Sequence, residues 1–350
     1  MFSRLFVSAF LSYLLLARGV SAHPESKTPE QVKAYQDLQA AAYHCAPTIA
    51  KYTAERQRRF AEHVLGGSSP QYLLSSDNGL FDSDTYEDVG PQKLLACTPF
   101  EEQKIRNNTC VLAPEVTAGP YYETAEHPMR TNIAEYQPGL LFLINIGVID
   151  VETCEPIPDV LVDIWHANAT GHYSGHPEPA PELANEEPVK EGRRKGLLSP
   201  FPKTKWGETF CRGAYPTDKN GVTQFTSIFP GYYTGRATHV HVKVFPKWTP
   251  LDNGTFIGER LVHVGQLFVP DDLNMAVDKL WPYNTNPIAE IRGRTRNWED
   301  SLNIFWDSQK GGYHSIFETH LLGGVLQQGV IGYITMAVNM SASVSDGWHI

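Results

Sequence analysis

Residues 236–245 run Arg236-Ala237-Thr238-His239-Val240-His241-Val242-Lys243-Val244-Phe245. From His239 to Val244, polar and apolar residues alternate strictly, the period of a β-strand with one face in a core. His239 and His241 then share one face, and Val240, Val242 and Val244 turn to the other. Two imidazoles at successive same-face positions stand about 7 Å apart at Cα, from the strand rise, so both can reach one metal ion. A His-x-His pair also occurs on ordinary solvated strand faces, and the pair by itself leaves both readings open.

The same texture extends outward on both sides. Short apolar runs rich in β-branched and aromatic residues, separated by Gly, Pro, Asn and Asp, predict strands over Leu140–Ile149, Val160–His166, Val222–Ile228, Thr238–Phe245, Leu261–Val269 and Ile331–Asn339. Asn220-Gly221, just ahead of Val222, is a tight-turn signal. No helix-length pattern alternates with these runs, so the fold class is mainly β, a β-sandwich rather than a doubly wound sheet. The stretch Gly175–Gly207, with its prolines, glutamates and Arg193-Arg194-Lys195, interrupts the rhythm and reads as a long loop beside Tyr173.

Toward the N-terminus the pattern becomes helical. Thr28 is a cap, Pro29 occupies the first helical position and Gln31 can close a capping box. Helical composition runs to about His44, pauses near Pro47 and resumes to Leu65, with Gly66-Gly67 as the stop. Ahead of it, Arg4 and the apolar run Leu5–Ala17 lead to Val20-Ser21-Ala22, the pattern of a secretory signal peptide and its cleavage site. The expected organisation is a signal peptide over 1–22, a helical arm over 23–67, an irregular excursion over 68–99, the sandwich over 100–342 and a tail over 343–350. The mature chain would be secreted, with no membrane span, since no later stretch approaches the ~20 apolar residues one needs. A net charge of −10, from 29 Lys and Arg against 39 Asp and Glu, argues against broad capture of nucleic acid.

Five cysteines (Cys45, Cys97, Cys110, Cys154 and Cys211) on an oxidising export route predict disulfides, one thiol being left over. Spacing does not fix the pairing; Cys97 with Cys110 and Cys154 with Cys211 are the expectation. Asn107, Asn168, Asn253 and Asn339 each begin a glycosylation acceptor triplet.

Two loops place tyrosines near strand ends, Pro230-Gly231-Tyr232-Tyr233 ahead of the histidines and Gly171-His172-Tyr173-Ser174 after an earlier strand. A phenol ligates only as its anion, with an ordinary pKa near 10, and a hard trivalent ion such as ferric iron can enforce that ionisation. Together with Gly119-Pro120-Tyr121-Tyr122, Pro158-Asp-Val-Leu-Val-Asp163-Ile-Trp165-His166-Ala167-Asn168, Thr217-Asp218-Lys-Asn-Gly221 and Phe225-Thr-Ser-Ile228, these motifs resemble the intradiol ring-cleavage dioxygenases. The resembled families include catechol dioxygenases and the protocatechuate dioxygenase β subunit, and the likeness is greatest to secreted single-chain members. It spans roughly residues 110–269 and extends toward the last strand near Asn339. It does not cover the helical arm or the excursion.

The resemblance implies non-haem ferric iron, Fe(3+), held by Tyr173, Tyr233, His239 and His241, with no further cofactor. It also implies a catechol-type substrate whose ring is cleaved between its two hydroxyl-bearing carbons by O2, giving a muconate-type diacid. Tyr232 is the alternative to Tyr233; the spacing from the proline favours Tyr233. Tyr233 would take a substrate proton as the axial ligand opposite His239, with Tyr173 and His241 equatorial. Arg236 would stabilise negative charge on the ring, and Gln266, in His263-Val-Gly-Gln266, would orient a substrate oxygen. Tyr121 and Tyr122 would be structural or pocket-lining rather than ligands. A homodimer through the N-terminal helices is what relatives imply. Where members of this kind often carry Cys-Asp, this chain has Ala167-Asn168, and Asn168 is expected to be unmodified because a glycan there would crowd the pocket.

Two other readings compete. A copper or ferrous site using the His pair, with His23 exposed by signal cleavage, is disfavoured by Pro24 and the helix that follows. A non-catalytic sandwich that binds phenolics or glycans is disfavoured by the presence of all four candidate ligands.

Overall fold

The alternating runs fold as strands in a computed structural model of the protein, which describes residues 29–64, 118–119, 121–123, 127–176, 205, 207–233, 235–290, 293–301 and 315–344. The strands are β1 (Leu141–Asp150), β2 (Leu161–Trp165), β3 (Arg212–Pro216), β4 (Val222–Ile228), β5 (His239–Phe245), β6 (Lys247–Pro250), β7 (Phe256–Arg260), β8 (His263–Phe268), β9 (Glu318–Leu321) and β10 (Val330–Val338). Among the described residues, two α-helices accompany them, α1 (Pro29–Val64) and α2 (Asp271–Val277). One sheet has the order β4-β1-β10-β9 and the other β3-β2-β5-β8, with β6 and β7 forming a separate hairpin. The pair β1 and β10 is parallel, and the second sheet is antiparallel throughout.

The inward side chains explain why the two sheets face each other. Phe142, Ile144, Ile146 and Val148 of β1, with Ile334, Met336 and Val338 of β10, meet Val162 and Ile164 of β2 and Val240, Val242 and Val244 of β5 in one buried cluster. Every second residue of β5 belongs to that core, so His239, His241 and Lys243 lie on the opposite face of their sheet.

Strands β3, β6, β7 and β9 have no counterpart in the expected set. β3 carries glycine and proline, β6 and β7 flank the polar turn at Asn253-Gly254, and β9 is a four-residue strand at a sheet edge. Cross-strand pairing, which alternation does not reveal, makes them strands.

Helix α1 runs unbroken through Pro47, so the expected pause is absent. A proline forfeits one backbone hydrogen bond, but here the helix is fastened to the outer face of the first sheet on both sides of it. The buried Arg56 donates through Nη1 to Asn145 Oδ1 at 2.7 Å and through Nη2 to the Ile334 carbonyl at 3.0 Å and Thr335 Oγ1 at 2.7 Å. Tyr52 donates to the Asn220 carbonyl at 2.7 Å. Among the described residues the disulfide is Cys45–Cys154, which corrects the expected Cys154–Cys211 pair, and Cys211 is a free, buried thiol. Helical docking brings Cys45 to the β1 end, whereas Cys211 sits in the interior of the sandwich. Cys97 and Cys110 lie outside the described residues, as do the expected signal peptide, the excursion, most of the 175–207 loop and residues 345–350. Among the described residues, no helix is long and apolar enough to cross a membrane.

Candidate metal centre

The outer face of the β3-β2-β5-β8 sheet is built in rows by strand register. Arg212, Trp165, His241 and Gln266 stand side by side across the four strands. The Trp165 indole stacks on the His241 ring at 4.7 Å and 4°, fixing that imidazole from one side. His239, one pleat along, is registered with Phe268.

Two loops bring the tyrosines over this face. Gly171, at φ +83°, lies against the Tyr232 carbonyl, and Gly231 lies against the backbone of Asn168 and Ala169, so a Cβ at either position would meet main chain. A backbone hydrogen bond from Gly231 N to the Asn168 carbonyl, 3.0 Å, joins the loops. The Asn168 side chain shapes its own loop: Oδ1 accepts from Thr170 N at 3.1 Å and His172 N at 3.0 Å, and Nδ2 donates to Gln137 Oε1 at 2.9 Å. This close approach places Tyr173 and Tyr233 edge to face at 5.6 Å between ring centres. Tyr173 is then 6.2 Å from His241, and Tyr233 is 5.8 Å from His239.

All four rings are buried. His239 Nδ1–H donates to the Ala237 carbonyl at 2.6 Å, which leaves Nε2 with its lone pair. His239 Nε2 and His241 Nε2 are 3.1 Å apart. Burial first, then Arg236 for His239, and His239 followed by Arg236 for His241, hold both imidazoles well below their ordinary pKa. Both are therefore neutral, and their Nε2 atoms face the same region. Two donors each about 2.1 Å from one ion, at right angles, lie about 3 Å apart. The pair fits a metal, and His241 Nδ1 has no hydrogen-bond partner that would commit the ring to another role. Burial raises the pKa of Tyr173 well above its ordinary value, with Tyr233 next in effect. Burial also raises Tyr233 against the opposing influence of Arg236. Phenolates here would need a cation between them, and two phenols with two imidazoles form a donor set that fits a hard trivalent ion.

The predicted second set also converges. Arg236 points Nη1 at Tyr233 Oη, 3.2 Å away, and donates through Nη2 to Gln266 Oε1. Tyr121 stacks on Tyr173 at 4.3 Å and 12°, while the Tyr122 ring receives Lys243 Nζ at 3.1 Å from its centre. Tyr232, the alternative to Tyr233, lies under Arg294 instead, with Cζ 4.2 Å from its ring centre.

A protein-family model described as Dioxygenase (Dioxygenase_C) matches residues 116–310, more than half of the chain. The chain is also similar to the solved structure of an intradiol ring-cleavage dioxygenase from Tetranychus urticae. That likeness has 27% identity and a TM-score of 0.51, and covers 68% of this chain and 98% of that one. This protein belongs to the intradiol ring-cleavage dioxygenase family. As an intradiol dioxygenase it is an oxidoreductase. Catechol 1,2-dioxygenase from Pseudomonas arvilla C-1 is a more distant match, with 16% identity and a TM-score of 0.38 over 68% of this chain and 65% of that one. No curated protein matches the sequence.

Sequence reasoning missed one residue of this intradiol dioxygenase site. Asp300 accepts from Arg236 Nε at 3.1 and 3.2 Å and from Ala237 N at 2.9 Å, and it is as buried as its partner. It lies 64 positions from Arg236 in a segment without strand periodicity. A lone buried acid beside an Asn-Trp-Glu turn carries no local signal.

Proposed function

We propose that the chain is a secreted, iron-dependent enzyme that cleaves catechol-type rings between their hydroxyl-bearing carbons with O2, yielding a muconate-type diacid. The observation that carries this reading is the 3.1 Å separation of two neutral imidazole Nε2 atoms under two buried phenols. Tyr173, Tyr233, His239 and His241 would hold Fe(3+). The chemistry a ferric ion supplies in such a set is withdrawal of electron density from a chelated catecholate, which makes a ring carbon reactive toward O2.

The protein's own groups do the rest. Tyr233 Oη, as a phenolate, is the base that takes a substrate hydroxyl proton, and Arg236 Nη1 at 3.2 Å favours the anionic form of that oxygen before the transfer. Arg236 and Gln266, joined to each other, present donors toward a substrate oxygen bearing negative charge. Asp300 fixes the guanidinium so that its aim does not depend on substrate. The stacked Trp165 and Tyr121 keep water away from the ligand rings. Secretion rests on the leader pattern of residues 1–22 and agrees with the long-range Cys45–Cys154 disulfide.

The test is the visible spectrum of the iron-loaded mature chain beside Tyr233→Phe, followed by catechol addition under air with oxygen uptake recorded. A phenolate-to-iron band that weakens in the variant and shifts with catechol as oxygen is consumed is the expected result. A colourless chain that consumes no oxygen would overturn it. Expression with the native leader, followed by assay of medium and cells, tests secretion separately.

A further inference from the structure

Arg212 stands at the end of the row that carries His241 and Gln266, yet it is not among the four candidate ligands. It is fully buried at the start of β3, and burial pulls its pKa down. Nε donates to Ser174 Oγ at 2.7 Å, Nη2 to the Ser174 carbonyl at 3.0 Å and Nη1 to the Tyr121 carbonyl at 2.5 Å. Glu123 Oε1 balances its charge at 3.4 Å. A second chain of contacts runs behind it: His127 Nε2 is 3.2 Å from Nη1, and His127 Nδ1 is 2.6 Å from Asp163 Oδ1 on β2.

These contacts have a common target. Ser174 is the residue after Tyr173, and Tyr121 is the ring stacked on Tyr173. The guanidinium Cζ itself sits 6.0 Å from the Tyr173 ring centre. Three of Arg212's nitrogens thus hold the two segments that sandwich one phenol, and a planar fork is the side chain that can do so in fixed geometry. A lysine would supply the charge as a point without the fork.

We propose that Arg212 is a positioning residue that sets the orientation of Tyr173 at the iron, by locking the 171–176 and 121–123 segments against each other. The inference rests on the iron-tyrosinate reading above. Residues that orient ligands from behind typically change metal affinity by about ten- to a hundredfold when replaced.

The experiment uses the mature chain, its Arg212→Lys and Ser174→Ala variants, and Val338→Ala as a control that loosens the far sheet. Three quantities are read for each: the wavelength and intensity of the phenolate-to-iron band, iron retention against a chelator, and unfolding midpoint of the metal-free form. Arg212→Lys is expected to move the band and cut iron retention about tenfold or more. Ser174→Ala, which removes one of the three holds and keeps the fold, is expected to move the band in the same direction by less. Val338→Ala is expected to lower the midpoint and leave the band in place. Should Arg212→Lys fail to fold, Ser174→Ala decides. An unchanged band in the variants that fold, or an equal change in Val338→Ala, overturns the inference. A parent chain without any such band instead overturns the iron-tyrosinate reading on which it rests.

Discussion

Replacing Asp300 tests whether Arg236 is aimed by a buried counter-charge. Asp300 takes one bifurcated bond from Arg236 Nε, at 3.1 and 3.2 Å, and one from Ala237 N at 2.9 Å, and both side chains are buried. A hydrogen bond to a charged group contributes about 1.5–3 kcal/mol, so two give roughly 3–6 kcal/mol. Removing one partner of a buried ion pair costs about 3–5 kcal/mol, which agrees. Asp300→Ala should therefore lose stability near the top of that range. Asp300→Asn, which keeps one acceptor oxygen and the shape, should lose about 2–3 kcal/mol. Urea unfolding of the parent, Asp300→Asn, Arg236→Met and the double variant forms a cycle. A coupling of about 2 kcal/mol is expected, because the second substitution removes a partner already stranded by the first. In oxygen-uptake kinetics, kcat/KM of Asp300→Asn should fall by about a hundredfold, the equivalent of ~2.7 kcal/mol of lost transition-state stabilisation. A coupling below ~0.5 kcal/mol, or unchanged kcat/KM in a folded variant, would show that Arg236 needs no counter-charge to hold its aim.

Four further outcomes follow from the geometry. Gly171→Ala places a Cβ against the Tyr232 carbonyl at a positive φ, so the tyrosine loops must separate, and iron retention should fall together with unfolding free energy by at least about 2 kcal/mol; a variant equal to the parent in both refutes the packing argument. Burial raises Asp271 from 3.8 to about 6, so between those values the unfolded chain ionises while the folded one stays protonated, and stability falls as pH rises, by roughly 3 kcal/mol in all, then levels off; unfolding of Asp271→Asn from pH 4 to 7 should lack that slope. Cys45→Ala opens a closure over 109 residues and should cost about 2–4 kcal/mol in urea titrations, an effect that vanishes if the parent is first reduced. If the chain is exported, peptide mass spectrometry should find glycan at Asn253, exposed in the β6–β7 turn, and none at Asn168, whose amide is engaged on both atoms; the reverse pattern would contradict the loop geometry.

Periodicity alone specified the mainly β class and all six core strands, because alternation reports which side of a sheet is dry. It divided β5 correctly, with the valines in the core and the histidines behind. Motif order then named the family and the four candidate ligands. Tertiary structure decided what local pattern does not encode. It made Pro47 part of a continuous helix by docking that helix on a sheet, and it paired Cys45 with Cys154 across the helix-to-sheet contact rather than Cys154 with Cys211. It also brought Arg212 and Asp300 behind the site from positions with no distinguishing neighbours, since register across four strands and the fold of a distant segment set those distances. Side-chain type and spacing say which groups are able to bind a metal; only the chain's path through space fixes which buried charges stand behind them, because Coulomb and hydrogen-bond contacts depend on separations that sequence distance does not constrain.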